Sequence, residues 1–191
     1  KTFTKTAPEA TSTATPETTT SKVRSIDFAN FTYPGEYIFP SEPGTFTHNE
    51  GKAVVGETQI RLAYLDYGDV TGDGNDEAIV VLAPLLTGSA APLVTYIFAL
   101  KNGNPERLWA FSAGDGASGG LRRAYAENGR LILERFSPIN SKGDCCPTQY
   151  KRSVYSWDGV KFKQSGGTET LSNPSGNGDA VMPEYKGKEK Q

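Results

Sequence analysis

The sequence holds one histidine, one methionine and two cysteines, so it is poor in the side chains that most often carry metal, redox or acid–base chemistry. His48 lies in a Gly-, Pro-, Thr- and Asn-rich stretch, where a lone histidine is expected to be solvated rather than catalytic. No Gly-x-Ser-x-Gly elbow is present. The glycine-rich stretch 113–120 lacks a Walker lysine and a following helix, which argues against a phosphate cradle. Two cysteines without a nearby histidine cannot complete a zinc site. There is no excess of positive charge: the net charge is -2 and the pI is near 5.5, which removes the electrostatic case for nucleic acid. No apolar run approaches the roughly 20 residues of a transmembrane helix.

What is present falls into three parts. Residues 1–22 are dominated by Thr, Ala, Pro, Glu and Ser and lack any core-forming pattern, so they read as a disordered tether. The only methionine is Met182, so an N-terminal segment is expected to have been removed, as in an exported chain. A lipid anchor would then lie upstream of residue 1. Residues 23–170 read as a β domain. Residues 171–191 are rich in Gly, Ser, Asn and Lys and read as a flexible polar tail.

Within the middle part the strand signals dominate. Residues 59–66 alternate, with Ile60, Leu62 and Tyr64 predicted on one face. Residues 77–82 form a short apolar run, as in a strand covered on both faces. Residues 93–100 are rich in β-branched and aromatic side chains. Asn102-Gly103, Asn128-Gly129 and Asp158-Gly159 each separate two strand-like runs, which predicts hairpins. The expectation is an all-β fold of roughly eight strands, mainly an antiparallel meander, closed as a curved sheet, open barrel or partial propeller. At most one short helix is expected, near residues 23–31, with Ser25 as its cap. The aromatic residues Phe28, Phe31, Tyr33, Tyr37 and Phe39 read first as core and second as a ligand-facing patch.

The densest chemical signal is the run Asp69-Val70-Thr71-Gly72-Asp73-Gly74-Asn75-Asp76-Glu77. Asp69, Thr71, Asp73, Asn75 and Glu77 take positions 1, 3, 5, 7 and 9, and Gly74 takes the sharp turn at position 6. Hard oxygen donors at that spacing suit a calcium ion. A plain turn would not need Asp69, Asp73 and Glu77 together, because converging carboxylates repel unless a cation neutralises them. Val80 stands where an EF-hand has its bidentate glutamate, so a strand rather than a helix should leave the loop. Asp66 and Asp76 are expected outside the ligand set. Magnesium fits less well, since it demands stricter octahedral geometry.

Residues 69–82 resemble the calcium loop of the FG-GAP and VCBS repeat families, found in integrin-type β-propellers and bacterial surface proteins. The matching residues are Asp69, Thr71, Asp73, Gly74 and Glu77, followed by the apolar strand 78–82. Thr71 replaces the usual Asp or Asn, which predicts affinity in the weaker range of roughly 0.1 to 1 mM. The motif occurs once, so a full propeller of such repeats is not expected. The resemblance implies calcium as cofactor.

Cys145 and Cys146 are adjacent. If joined, they close a strained ring, because Cα atoms across a trans peptide are about 3.8 Å apart, below the usual disulfide range. The alternative is a pair of partly buried thiols beside Pro147. Cys145-Cys146-Pro147 with Tyr155-Ser156-Trp157-Asp158-Gly159 is similar to uncharacterised secreted proteins and to LppP/LprE-like lipoproteins. The function expected from all this is an extracytoplasmic, non-catalytic binding module whose partner is a glycan or a cell-envelope protein. The alternative is a secreted hydrolase with an acid pair, whose separation would be spatial rather than sequential.

Overall fold

The computed structural model describes residues 22–41, 44–86, 89–90, 92–114, 119–137 and 146–187. Residues 1–21 of the tether, Cys145 and residues 188–191 of the tail lie outside the described residues. The chain is all-β: a curled antiparallel sheet forms a half-barrel. The elements are β1 (Thr32–Pro34), β2 (Thr45–Thr47), β3 (Lys52–Val55), β4 (Thr58–Gly68), β5 (Glu77–Leu86), β6 (Ser89–Ala90), β7 (Val94–Lys101), β8 (Asn104–Ser112), β9 (Leu121–Glu127), β10 (Arg130–Phe136), β11 (Gln149–Trp157), β12 (Phe162–Gln164) and β13 (Glu169–Ser172). In place of one short helix there are two 3-10 turns, Lys22–Ser25 and Phe28–Asn30. Asp27, not Ser25, caps the second by accepting the Ala29 N–H. No helix among the described residues is long and apolar enough to cross a membrane.

A six-stranded sheet in the order β3-β4-β5-β7-β8, with β6 on β5, forms the middle layer. Its central strand β5 is covered on both faces, as its unbroken apolar run predicts. Ala78, Val80 and Leu82 face one core with Phe28, Tyr33, Phe46, Tyr96 and Phe98. Ile79 and Val81 face a second core with Val70, Ile97, Leu131 and Leu133. The first core is covered by the 3-10 turns and the two-stranded β1–β2 sheet. The second is covered by the sheet β12-β11-β10-β9, with β13 paired to β11. The aromatic segment before the main strands is therefore mostly core: Phe28 and Tyr33 are buried, while Tyr37 is exposed.

The predicted hairpins form. Asn102 and Gly103 (φ 52° and 81°) join β7 to β8, and Asn128 and Gly129 (φ 52° and 69°) join β9 to β10. At Asp158-Gly159 the carboxylate holds the turn by accepting the N–H groups of Val160 and Lys161. The alternation predicted for β4 breaks at one point. A bulge between Leu62 and Tyr64 inserts Ala63, so Ile60 and Leu62 face the first core and Tyr64 faces the second. Leu65 and Tyr67 then return to the first core.

Residues 171–187 contact the body at several points. Asn173 is buried and donates its side-chain amide to the carbonyls of Pro147 (2.7 Å) and Asn177 (2.9 Å). The Val181 N–H donates to the Arg122 carbonyl, Met182 packs on the second core, and the Tyr185 N–H donates to the Ala63 carbonyl.

The end of β4 passes close to β9. A Cβ built on Gly68 would stand 2.5 Å from the Ala126 Cβ, inside any van der Waals contact. Gly68→Ala should therefore cost about 1–3 kcal/mol by overpacking, read as a lower denaturant midpoint at unchanged slope. Ala126→Gly in the same chain should restore most of that loss.

Candidate metal centre

The run 69–77 is the hairpin connection between β4 and β5, and its base is closed by the pair Gly68↔Glu77. Gly72 and Gly74 adopt φ of 79° and 87°, a region that costs side-chain-bearing residues energy. Val70 is fully buried in the second core and fixes the start of the loop. The acidic side chains organise the backbone around it. Asp69 Oδ1 accepts the Gly72 N–H at 2.6 Å, and its Oδ2 accepts the Gly74 N–H at 3.0 Å. Asp73 Oδ1 accepts the Asn75 backbone N–H at 2.8 Å and its amide Nδ2 at 3.2 Å. Glu77 Oε2 accepts the N–H groups of Val70 (2.9 Å) and Thr71 (3.2 Å), and the Thr71 hydroxyl donates to Oε1 at 3.4 Å.

Glu77 is the electrostatic focus. It is only 2% exposed. Burial pushes its carboxyl up to about 7, and the charges of Asp73 and Asp69 push the same way, while the N–H groups of Val70 and Thr71 oppose them. Asp73 and Asp69 therefore both act on the Glu77 carboxyl. Among the described residues no three Asp, Glu, His or Cys side chains form a ready-made metal-binding group. The loop N–H bonds still leave acceptor capacity, because each carboxylate oxygen has two lone pairs. The donor set is entirely hard oxygen, which fits calcium chemically. Asp69, Thr71, Asp73, Asn75 and Glu77 are the residues that would hold the ion. Asp76 turns away to Arg24 at 2.7 Å, and that guanidinium lies over the Tyr67 ring. Asp66 accepts the Tyr67 N–H.

Two neighbours of the loop come from far along the chain. The β9–β10 turn meets it backbone to backbone: a Cβ on Gly129 would lie 2.9 Å from the Gly72 Cα and 3.9 Å from Asp69 Oδ2. Asp73 and Glu77 also line two clefts of about 300 and 270 Å³. The smaller cleft runs past Lys101 and Glu106 to Trp157 on β11. Neither Gly129 nor Trp157 carries a local sequence signal for this placement, since only the pairing of distant strands creates it.

The other candidates separate clearly. His48 is not solvated as its loop composition suggests; it is 1% exposed, between Tyr33 and Phe46. The reason is that β1 and β2 fold their aromatic faces over it. Cys146 is half-buried beside the buried Pro147, and its expected partner Cys145 lies outside the described residues. A cleft of about 450 Å³ between the β1–β2 layer and the β3–β4 turn is lined by Phe39, Pro40, Ser41, Thr45, Phe46 and Val55, among others, and has no carboxylate among its described lining residues. No family model, curated protein or solved structure matches this chain.

Proposed function

We propose that this chain is an extracytoplasmic, non-catalytic β module that calcium stabilises at residues 69–77, and that it acts as an interaction module at the cell envelope. One observation carries the calcium half of this reading: a buried glutamate, Glu77, is held under the charges of Asp69 and Asp73 in an all-oxygen loop. Such an arrangement is unfavourable without a cation and favourable with one. Calcium would act structurally, by neutralising the carboxylates and holding Gly72 against Gly129. The export half rests on the composition of residues 1–22 and the resemblance of the loop to bacterial surface repeats. The partner class, a glycan or an envelope protein, follows from that resemblance alone.

The hydrolase reading is weaker. The largest of the described clefts has no acid among its described lining residues, and the carboxylates lining the other two include the loop acids Asp73 and Glu77. The test of the binding role is retention of the full chain on cell-envelope fractions and on a glycan array, with calcium and with chelator. Calcium-dependent retention, lost in Asp73→Ala, is expected. Absence of retention in both conditions, together with turnover of glycan or ester substrates, would replace this reading with the hydrolase.

A further inference from the structure

His48 closes the connection from β2 into β3, where its backbone N–H donates to the Phe31 carbonyl at 3.0 Å. Its ring meets the Tyr33 ring at 5.0 Å and the Phe46 ring at 5.6 Å. Among the described residues neither Nδ1 nor Nε2 has a hydrogen-bond partner, although the residue is 1% exposed. Buried polar atoms are nearly always paired, so a histidine with both nitrogens unmade is held there by packing against its own hydration. A charged imidazolium, with two donors and no acceptor in reach, is far less compatible with the site.

The groups around it offer no compensation. From β1 comes Tyr33, whose hydroxyl donates to the Phe28 carbonyl at 2.6 Å and whose burial keeps it un-ionised. Asp27, Tyr67, Tyr96 and Tyr185 act electrostatically on Tyr33. From β2 comes the apolar Phe46. Tyr33 in turn packs on Phe98 and Tyr96 of β7, and the Tyr96 hydroxyl donates to the Pro34 carbonyl at 2.6 Å. Burial is the cause of the lowered proton affinity of His48, with no carboxylate among the described residues acting on it. The β1–β2 pair is a separate two-stranded sheet, not hydrogen-bonded in register to the six-stranded sheet beneath it.

We propose that His48 is an acid-sensitive latch: its imidazole takes up a proton more readily outside the aromatic pocket than inside it, so acid favours a state in which the β1–β2 layer lifts from the six-stranded sheet and uncovers Tyr96 and Phe98. The direction follows from linkage. A histidine whose proton affinity is lowered in the closed state stabilises that state above its free value of about 6.5, and this support is lost as pH falls. The closed state takes up the proton only near pH 4. The opening equilibrium should therefore rise about tenfold per pH unit between these values, by on the order of 100-fold in all.

The test is hydrogen exchange of the full chain at about pH 7 and about pH 4, corrected for intrinsic rates, with β9–β10 as internal reference. The expected result is an increase in opening on the order of 100-fold at residues 28–34 and 45–48, absent in His48→Phe. An equal acid response in His48→Phe, or full protection of the layer in the wild type at low pH, would overturn the latch. Should His48→Phe fail to fold, the single histidine gives one imidazole Cε1–H resonance in the wild type. Titration of that resonance near 6.5, with the folded spectrum intact, would equally overturn it. A resonance that stays neutral until the layer opens supports it.

Discussion

In calcium-free buffer at about pH 8, Glu77→Gln is expected to be more stable than the wild type by about 3 kcal/mol, and to gain nothing from calcium. The folded chain holds the Glu77 carboxyl at about 7, above the ordinary value of 4.5. A raised value means that the proton is bound more tightly in the folded state. The associated stability is complete below about 4.5 and is lost as pH rises through about 7, after which the cost is constant. A separation of about 2.5 pH units corresponds to about 3 kcal/mol. Glutamine keeps the shape, and its carbonyl oxygen can accept the Val70 and Thr71 N–H groups that Glu77 Oε2 now accepts. It has no charge to desolvate and none to offer a cation. Chemical unfolding between about pH 5 and 8, with and without calcium, reads both effects. A Glu77→Gln chain less stable than the calcium-free wild type at pH 8 would mean that Glu77 is not under electrostatic strain.

The wild type alone will hide part of this dependence. His48 destabilises the fold as pH falls from about 6.5 towards 4, while Glu77 stabilises the calcium-free fold over nearly the same interval. The two slopes oppose each other, so the calcium-free wild type should show a nearly flat profile there. Glu77→Gln should expose the histidine slope, and His48→Phe the glutamate slope.

The second large effect is expected at Gly129. It shares its turn type with Gly103: both follow an asparagine at φ 52°, and both have positive φ themselves. A Cβ on Gly103 meets nothing within 4 Å, whereas one on Gly129 stands 2.9 Å from the Gly72 Cα. Gly103→Ala should therefore cost only the left-handed backbone term, about 1–2 kcal/mol. Gly129→Ala should add an overpacking term of about 1–3 kcal/mol, because backbone on the far side cannot rotate away. It should also weaken the calcium response by pushing the loop at Gly72, while Gly103→Ala leaves that response intact. Equal losses in the two variants would show that the β9–β10 turn does not bear on the loop.

Local chemistry made much of this molecule legible from sequence. The Asn-Gly pairs specify left-handed turns by themselves, and the alternate oxygen donors of residues 69–77 mark a loop before any fold is known. The run 78–82 declares its double burial because no polar residue interrupts it. What was not legible depends on contacts between distant segments. The bulge at Ala63 turns Tyr64 to the opposite core, although the alternation of β4 is unbroken in sequence. His48 sits among turn-forming residues, and only Tyr33 and Phe46, placed by the β1–β2 pairing, bury it. Gly68 and Gly129 look like ordinary turn or strand-end glycines, until β9 and β10 are laid against them and the loop.

The central claim is that residues 69–77 bind calcium and that binding stabilises the fold. The most direct measurement is thermal unfolding of the wild type and Asp73→Ala, each with saturating calcium and with excess chelator, and with magnesium as control. Calcium at about 100 times its dissociation constant should add roughly 2.7 kcal/mol, a rise on the order of 5–11 °C for a chain of this size. The rise should vanish in Asp73→Ala and be smaller with magnesium. An unchanged midpoint in the wild type at about 10 mM calcium, well above the roughly 1 mM upper limit expected for the loop, would contradict the account.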